Sequence, residues 1–137
     1  MASMMSRSAL ALVLLLLPIA ACTPGKHVSD RDVARITAEQ VAELLERDDV
    51  VFVDVRTRQR YEAGHLPGAI HLPLPEMIAD DDRLAGARGI VVYGPEPPSR
   101  LASAGVKKLM RLGYRGVAMF PGGVDELDVP RAEVEAD

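Results

Sequence analysis

Short β-branched runs alternate along this chain with segments of helical periodicity. Val50-Val51-Phe52-Val53 and Ile90-Val91-Val92-Tyr93 are continuously apolar, the pattern of strands covered on both faces. Ala69 to Leu72, stopped by Pro73, and Val117 to Phe120 supply two more extended pieces. Between them, Thr37 with Gln40 three residues on has the spacing of a capping box. Val41, Leu44 and Leu45 then form the inward stripe of a helix expected to end near Arg47. Gln59 to Ala63 reads as a helical turn closed by Gly64. The longest helix runs from Ser99 or Arg100 to Leu112, with Leu101, Val106, Leu109 and Met110 expected inside and Gly113 as its stop. Strands separated by helices of this length imply right-handed crossovers. The expected fold is α/β, a single domain with a central, mostly parallel sheet flanked by helices on both faces.

The N-terminus is a different kind of segment. Met1 to Ser8 carries one basic residue, Arg7, and Ala9 to Ala21 follows without a charge. At ~1.5 Å rise per residue this apolar run is too short for a ~30 Å hydrocarbon core. Its order and length are those of a signal peptide. Ile19-Ala20-Ala21-Cys22 resembles a bacterial lipobox, whose cysteine is lipidated and becomes the mature N-terminus. An ordinary cleavable signal ending near a cysteine is the alternative. A single acyl chain holds a protein only marginally, at ~0.8 kcal/mol per buried methylene, whereas the two or three chains of a lipoprotein hold it stably. Thr23 after the cysteine suggests sorting to the outer membrane, facing the periplasm.

Charge and cysteine content narrow the remaining possibilities. Residues 22–137 carry 15 basic and 20 acidic side chains, a net charge of −5. No basic tract or aromatic stripe interrupts them, which argues against nucleic acid as a partner. Cys22 is the only cysteine of the 137 residues, so no intramolecular disulfide can form. The expected organisation is a signal peptide over 1–21, a lipidated tether over 22–34, a domain over 35–127 and a frayed acidic tail over 128–137.

One series of residues is diagnostic in combination. Asp54-Val55-Arg56, Tyr61, Gly64-His65 and Pro67-Gly68-Ala69 precede the Ile90–Tyr93 strand, a loop and the long helix; Gly113-Tyr114, the last strand and Gly122-Gly123 follow. In this order they resemble the rhodanese-like domain, over roughly Ile36 to Leu127. The residues themselves read mainly as architecture. Gly64 and Gly68 permit backbone angles closed to other residues, and Pro67 fixes its own φ. Asp54 beside Arg56 at a strand end reads as an ion pair, with acid–base chemistry as the sharper alternative. His65 reads as a ring holding loop backbone, with a general base or metal ligand as its alternative. His65 and His71 without a carboxylate or thiol at ligand spacing make no metal site, and no cofactor is expected.

The departures from the resemblance carry the functional expectation. In active members of that family the strand matching Ile90–Tyr93 is followed at once by a cysteine that carries a persulfide; this chain has Gly94. The resemblance implies a loop whose backbone N–H groups cradle an anion beside a helix N-terminus. Here the loop is Gly94-Pro95-Glu96-Pro97-Pro98-Ser99-Arg100. Three prolines remove three donors and Glu96 adds a negative charge, so the nucleophile is missing and so is most of what would stabilise its charge. Ser99 has no histidine nearby in sequence to activate it, and Arg100 either meets an anion or simply flanks the helix start. Arg60, where the family often has an acid, and Leu127, where an aromatic often follows the double glycine, read as packing changes. The expectation is a membrane-anchored, catalytically silent module that binds a protein or a small anionic ligand through loop 94–100. The competing reading is a sulfurtransferase with an atypical site; a phosphatase lacks the same thiolate.

Overall fold

The computed structural model describes residues 27–132. Five parallel strands form one sheet: β1 (Ala34–Arg35), β2 (Val50–Asp54), β3 (Ile70–His71), β4 (Gly89–Gly94) and β5 (Val117–Gly123), in the order β1-β5-β4-β2-β3. Helices α1 (Ala38–Leu45), α2 (Arg58–Ala63) and α3 (Arg100–Arg111) lie between strands, with short 3-10 turns elsewhere. The continuous apolar runs at 50–53 and 90–93 become β2 and β4, two of the three inner strands, and their side chains alternate between two cores. Val53, Ile90, Val92, Val117 and Met119 pack with Ala102, Val106 and Leu109 of α3. Phe52, Val91, Tyr93 and Phe120 pack with Val41 of α1 on the opposite side. Both faces of the sheet are therefore covered, as an all-parallel sheet requires.

Local signals at the element ends act as expected. Thr37 Oγ1 accepts from the Gln40 N–H at 3.3 Å and Gln40 Oε1 accepts from the Thr37 N–H at 2.9 Å, closing the capping box of α1. Gly64 ends α2 at φ 155°, and Gly68 turns the chain toward β3 at φ 71°. The inward face of α3 departs from expectation. Leu101 is 38% exposed, whereas Ala102, Gly105, Val106 and Leu109 are buried. Leu101 stands about 100° round the helix from Ala102, and the small residues face the sheet because α3 lies close against it.

Both flanking segments are folded further than expected. Val28 and Val33 are buried, and a 3-10 turn at Asp30–Asp32 precedes β1, which pairs with β5. Asp30 Oδ1 accepts from Ser103 Oγ at 3.0 Å and from Lys107 Nζ at 2.8 Å, fixing this turn to α3. Residues 28–34 of the expected tether thus belong to the domain, because two valines in a polar run find core positions that only the fold creates. At the other end, Ala132 and His65 exchange backbone hydrogen bonds of 2.9 Å in both directions, so residues up to 132 of the expected tail also dock. The expected signal peptide over 1–21 and Cys22 lie outside the described residues. No helix among the described residues is long and apolar enough to cross a membrane.

Candidate functional site

The carboxyl ends of β2, β4 and β5 converge with the loops that leave them, the place where parallel α/β sheets hold ligands. Asp54 is the last residue of β2 and is fully buried. Its carboxylate accepts from the Arg56 backbone N–H at 2.9 Å, from Nε at 3.0 Å and from Nη2 at 2.6 Å. Arg56 Nη2 also donates to the Gly64 carbonyl at 2.7 Å, and the guanidinium lies 5.7 Å from the centroid of the Tyr93 ring. The Arg56 fork is thereby committed to tying the end of β2 to the turn after α2. Tyr93, buried below it, accepts from the Leu66 N–H at 3.2 Å. Burial, reinforced by the negative charge of Asp54, raises its phenol well above the ordinary tyrosine range.

The two histidines hold separate pieces of backbone. His65 Nδ1 lies 2.8 Å from the Tyr61 carbonyl and its ring stacks on Tyr61 with centroids 3.8 Å apart. A carbonyl only accepts, so the proton sits on Nδ1. His71 Nε2 lies 2.8 Å from the Arg56 carbonyl by the same logic, and its buried Nδ1 has no hydrogen-bond partner. No group of three or more potential metal-ligating side chains occurs among the described residues.

Gly94 closes β4, and its surroundings explain why it is glycine. An ideal β-carbon there would lie 1.9 Å from Ser99 Oγ and 3.0 Å from Ser99 Cβ. Ser99 is 1% exposed, and its hydroxyl accepts from the Ala102 N–H at 3.1 Å as the N-cap of α3. Its own N–H donates to the Pro121 carbonyl at 3.4 Å. The serine is occupied by capping, and no hydrogen bond joins its hydroxyl to a basic or acidic side chain among the described residues. Between the two residues the loop runs through half-buried Pro95 and exposed Glu96, Pro97 and Pro98, with a cis bond between the last two. The loop rests on the end of β5: Gly122 and Gly123 are buried, and a β-carbon on Gly123 would sit 3.6 Å from the Pro97 ring. Arg100, the first residue of α3, is exposed.

Beside the loop lies a depression of about 410 Å³ whose wall includes Arg56, Arg60, Pro95, Glu96, Asp125 and Arg131. Two of its three arginines are already paired, Arg56 with Asp54 at 2.6 Å and Arg131 with Asp125 at 2.9 Å. The structure thus brings together Arg56, Gly64, Pro95 and Glu96 from the sequence reading, and adds Asp125 and Arg131. Arg131 lay in a stretch without periodicity, so its contribution had no local signal. The result is a mixed-charge surface in which acids pair two of the three cations, unlike a ring of N–H donors aimed at one anion.

Comparison with known proteins gives concordant matches. A family model described as the rhodanese-like domain matches residues 37–128. The thiosulfate sulfurtransferase GlpE of Pseudomonas putida is 31% identical over 94 residues, covering 66% of this chain and 81% of that protein. An HTH-type transcriptional regulator of Mycobacterium tuberculosis is 41% identical over 58 residues, covering 42% of this chain; the chain spans only 26% of that protein's length. The solution structure of a rhodanese-like domain from an Anabaena protein superimposes with a TM-score of 0.60 at 26% identity, covering 73% of this chain and 79% of that one.

Proposed function

The chain belongs to the rhodanese-like domain family, and on that premise we propose that it is a non-catalytic binding module, held at the cell envelope through a lipid on Cys22. The observation that carries this reading is the pairing of Gly94 with Ser99. At the position where the family's persulfide cysteine is expected, this chain has no side chain, and the Ser99 hydroxyl fills the space a β-carbon would need. A thiol-bearing side chain at position 94 would not fit unless Ser99 moved. Pro95, Pro97 and Pro98 supply no N–H to the same loop, which removes most of the means of stabilising a thiolate or a transferred sulfur anion.

What remains is a rigid, proline-rich surface beside a mixed-charge depression. A pre-organised loop of this kind loses little conformational entropy on binding, which suits recognition of a protein segment or a small anionic ligand. The reading of export and anchoring is supported by the short apolar run that ends in Ile19-Ala20-Ala21-Cys22, and Thr23 favours the outer membrane facing the periplasm as the destination.

The second reading, sulfur transfer by an atypical site, is favoured by the relatives that bear the name thiosulfate sulfurtransferase. Thiosulfate and cyanide supplied to the purified lipidated protein separate the two. The expected result is no thiocyanate above the buffer rate. Thiocyanate formation that survives Cys22→Ser would overturn the non-catalytic reading. Incorporation of a labelled fatty-acid analogue should be lost in the same variant; labelling that persists would defeat the anchor.

A further inference from the structure

The geometry points to the backbone edge at His65 as the docking place for an extended, arginine-bearing segment of a partner protein, a place that residues 128–132 of the chain itself occupy until they are displaced. The inference rests on the binding-module reading and names the partner class and the regulation of that same site. The chain's own strap shows what this edge accepts. His65 and Ala132 form an antiparallel bridge, each N–H donating to the other's carbonyl at 2.9 Å. One residue earlier, Arg131 Nη2 stands 2.9 Å from Asp125 Oδ1 and donates to the Val124 carbonyl at 3.3 Å. The Arg131 side chain also crosses Gly64, where its Cδ would be 3.5 Å from a β-carbon. Backbone supplies the hydrogen bonds and one arginine supplies the charge, the division of labour of a strand added to an exposed edge.

The strap is held lightly. Leu127 is buried, whereas Asp128, Pro130 and Arg131 are exposed and Val129 and Ala132 only half-buried. The Asp125 side chain is 89% exposed, and an ion pair in that setting contributes little and is screened by salt. Two backbone hydrogen bonds add a modest net gain, and Val129 packs only at the margin of the core on the α1 side. Attachments of this kind open locally while the sheet stays intact.

Opening changes the charge of the depression. With the strap docked, Arg131 answers Asp125 and Arg56 answers Asp54, and the remaining wall charges, Arg60 and Glu96, are of opposite sign. When the strap leaves, Arg131 goes with it and Asp125 adds an uncompensated negative charge to a wall that already holds Glu96. The His65 N–H and carbonyl lose their partners at the same time. A free donor–acceptor pair beside an excess acid matches an extended segment that carries a cation, and Arg131 is the stand-in for that cation. A short tether holds such a stand-in at an effective concentration of the order of millimolar. A partner that also touches Pro95 and Glu96 across the depression offers more contact than the strap does. The strap is thus an autoinhibitory contact on the binding surface.

Two measurements on the full-length protein in non-ionic detergent test this. In amide hydrogen exchange, the His65 N–H should exchange at least about tenfold faster than that of buried Val92 in β4; a common rate for both would overturn the detachable strap. The second measurement follows the His65 amide by NMR while a blocked peptide of the sequence Leu127 to Ala132 is added. Arg131→Ala, a change at an exposed position, weakens the strap and should lower the apparent Kd of the peptide at least about threefold against the wild type. Equal affinities would overturn the autoinhibition, and a peptide that leaves His65 unshifted in Arg131→Ala would overturn the docking place. The peptide carrying Arg131→Glu should lose most of its affinity, as should the original peptide against the Asp125→Asn, Arg131→Ala double variant; binding unchanged in both would overturn the selection for a cation. A dimer in sedimentation whose His65 amide stays protected would assign the edge to a second copy of this chain and overturn the separate partner. Failure here is distinguishable from failure of the parent reading: a protein silent toward thiosulfate that ignores the peptide loses this inference alone, whereas thiocyanate formation removes the binding-module reading whatever the peptide does.

Discussion

Ser99 Oγ stands 1.9 Å from where a β-carbon on Gly94 would be, so the two residues, five apart in sequence, share one side-chain space. Gly94→Ala forces the serine out of its capping position and should cost about 1–3 kcal/mol, the usual range for overpacking a filled site. Ser99→Gly alone should cost about 1 kcal/mol or more, because the buried Ala102 N–H loses its acceptor. The double variant should be less destabilised than the two singles together. Urea denaturation of all four proteins measures the coupling, and strict additivity would show that the clash is relieved elsewhere.

Asp54 and Arg56 form the most buried ion pair among the described residues, with side chains 0% and 10% exposed. Removing the carboxylate in Asp54→Ala leaves the guanidinium largely buried without its counter-charge, an arrangement that costs about 3–5 kcal/mol. Arg56→Ala should cost a similar amount, and the double variant less than the sum. A thermal unfolding series tests this. A loss under about 1 kcal/mol for Asp54→Ala, the value of an exposed pair, would mean that water reaches the guanidinium.

Acid should weaken the fold through carboxylates held below their ordinary range. Hydrogen bonds from Arg83 keep Asp81 low, and the hydrogen bond from Lys107, followed by that from Ser103, does the same for Asp30. A depressed native value means that the stabilisation is complete above the unfolded carboxylate pKa of ~3.9 and is lost as pH falls through the native value. Asp81→Asn should flatten the stability–pH curve below about pH 4 while leaving its slope near neutrality unchanged. An unaltered acid limb in that variant would remove Asp81 from the account.

Base acts on the opposite face of the sheet. The native phenol of Tyr93 is raised by burial first and by Asp54 second. A raised native value stabilises the fold below the unfolded phenol pKa of ~10, and the contribution is lost as pH rises through the native value. In an absorbance titration the phenolate of Tyr93 should therefore appear together with unfolding, and Tyr93→Phe should remove that step. The substitution also leaves the Leu66 N–H unpaired, at a cost of about 1–3 kcal/mol. Ionisation of Tyr93 in a fully folded protein would contradict its burial.

Much of the fold was legible locally. Inner strands β2 and β4 announce themselves as continuous apolar runs, and the Thr37–Gln40 spacing marks the start of α1. The inward face of α3 was less legible. A search for large apolar residues selects Leu101, whereas close approach to the sheet selects Ala102 and Gly105, whose small size carries no periodic signal. At the candidate site, Asp54, Arg56, His65 and the loop from Gly94 to Arg100 could be named from the chain alone. Their partners could not: Gly64 O receives Arg56, and Asp125 with Arg131 completes the wall of the depression.

The sequence by itself determined the order of strands and helices from α1 to β5, the absence of a thiol after β4 and the loss of three donors in the loop that follows. These properties reside in single residues or in windows of a few residues, where backbone chemistry and periodicity act directly. Tertiary structure decided that Ser99 fills the space beside Gly94, that Ala132 docks on His65, and that Asp30 is clamped to Ser103 and Lys107 across 73 and 77 residues of chain. Contacts at such separations are set by how helices seat on the two faces of the sheet, which packing resolves and local pattern does not encode.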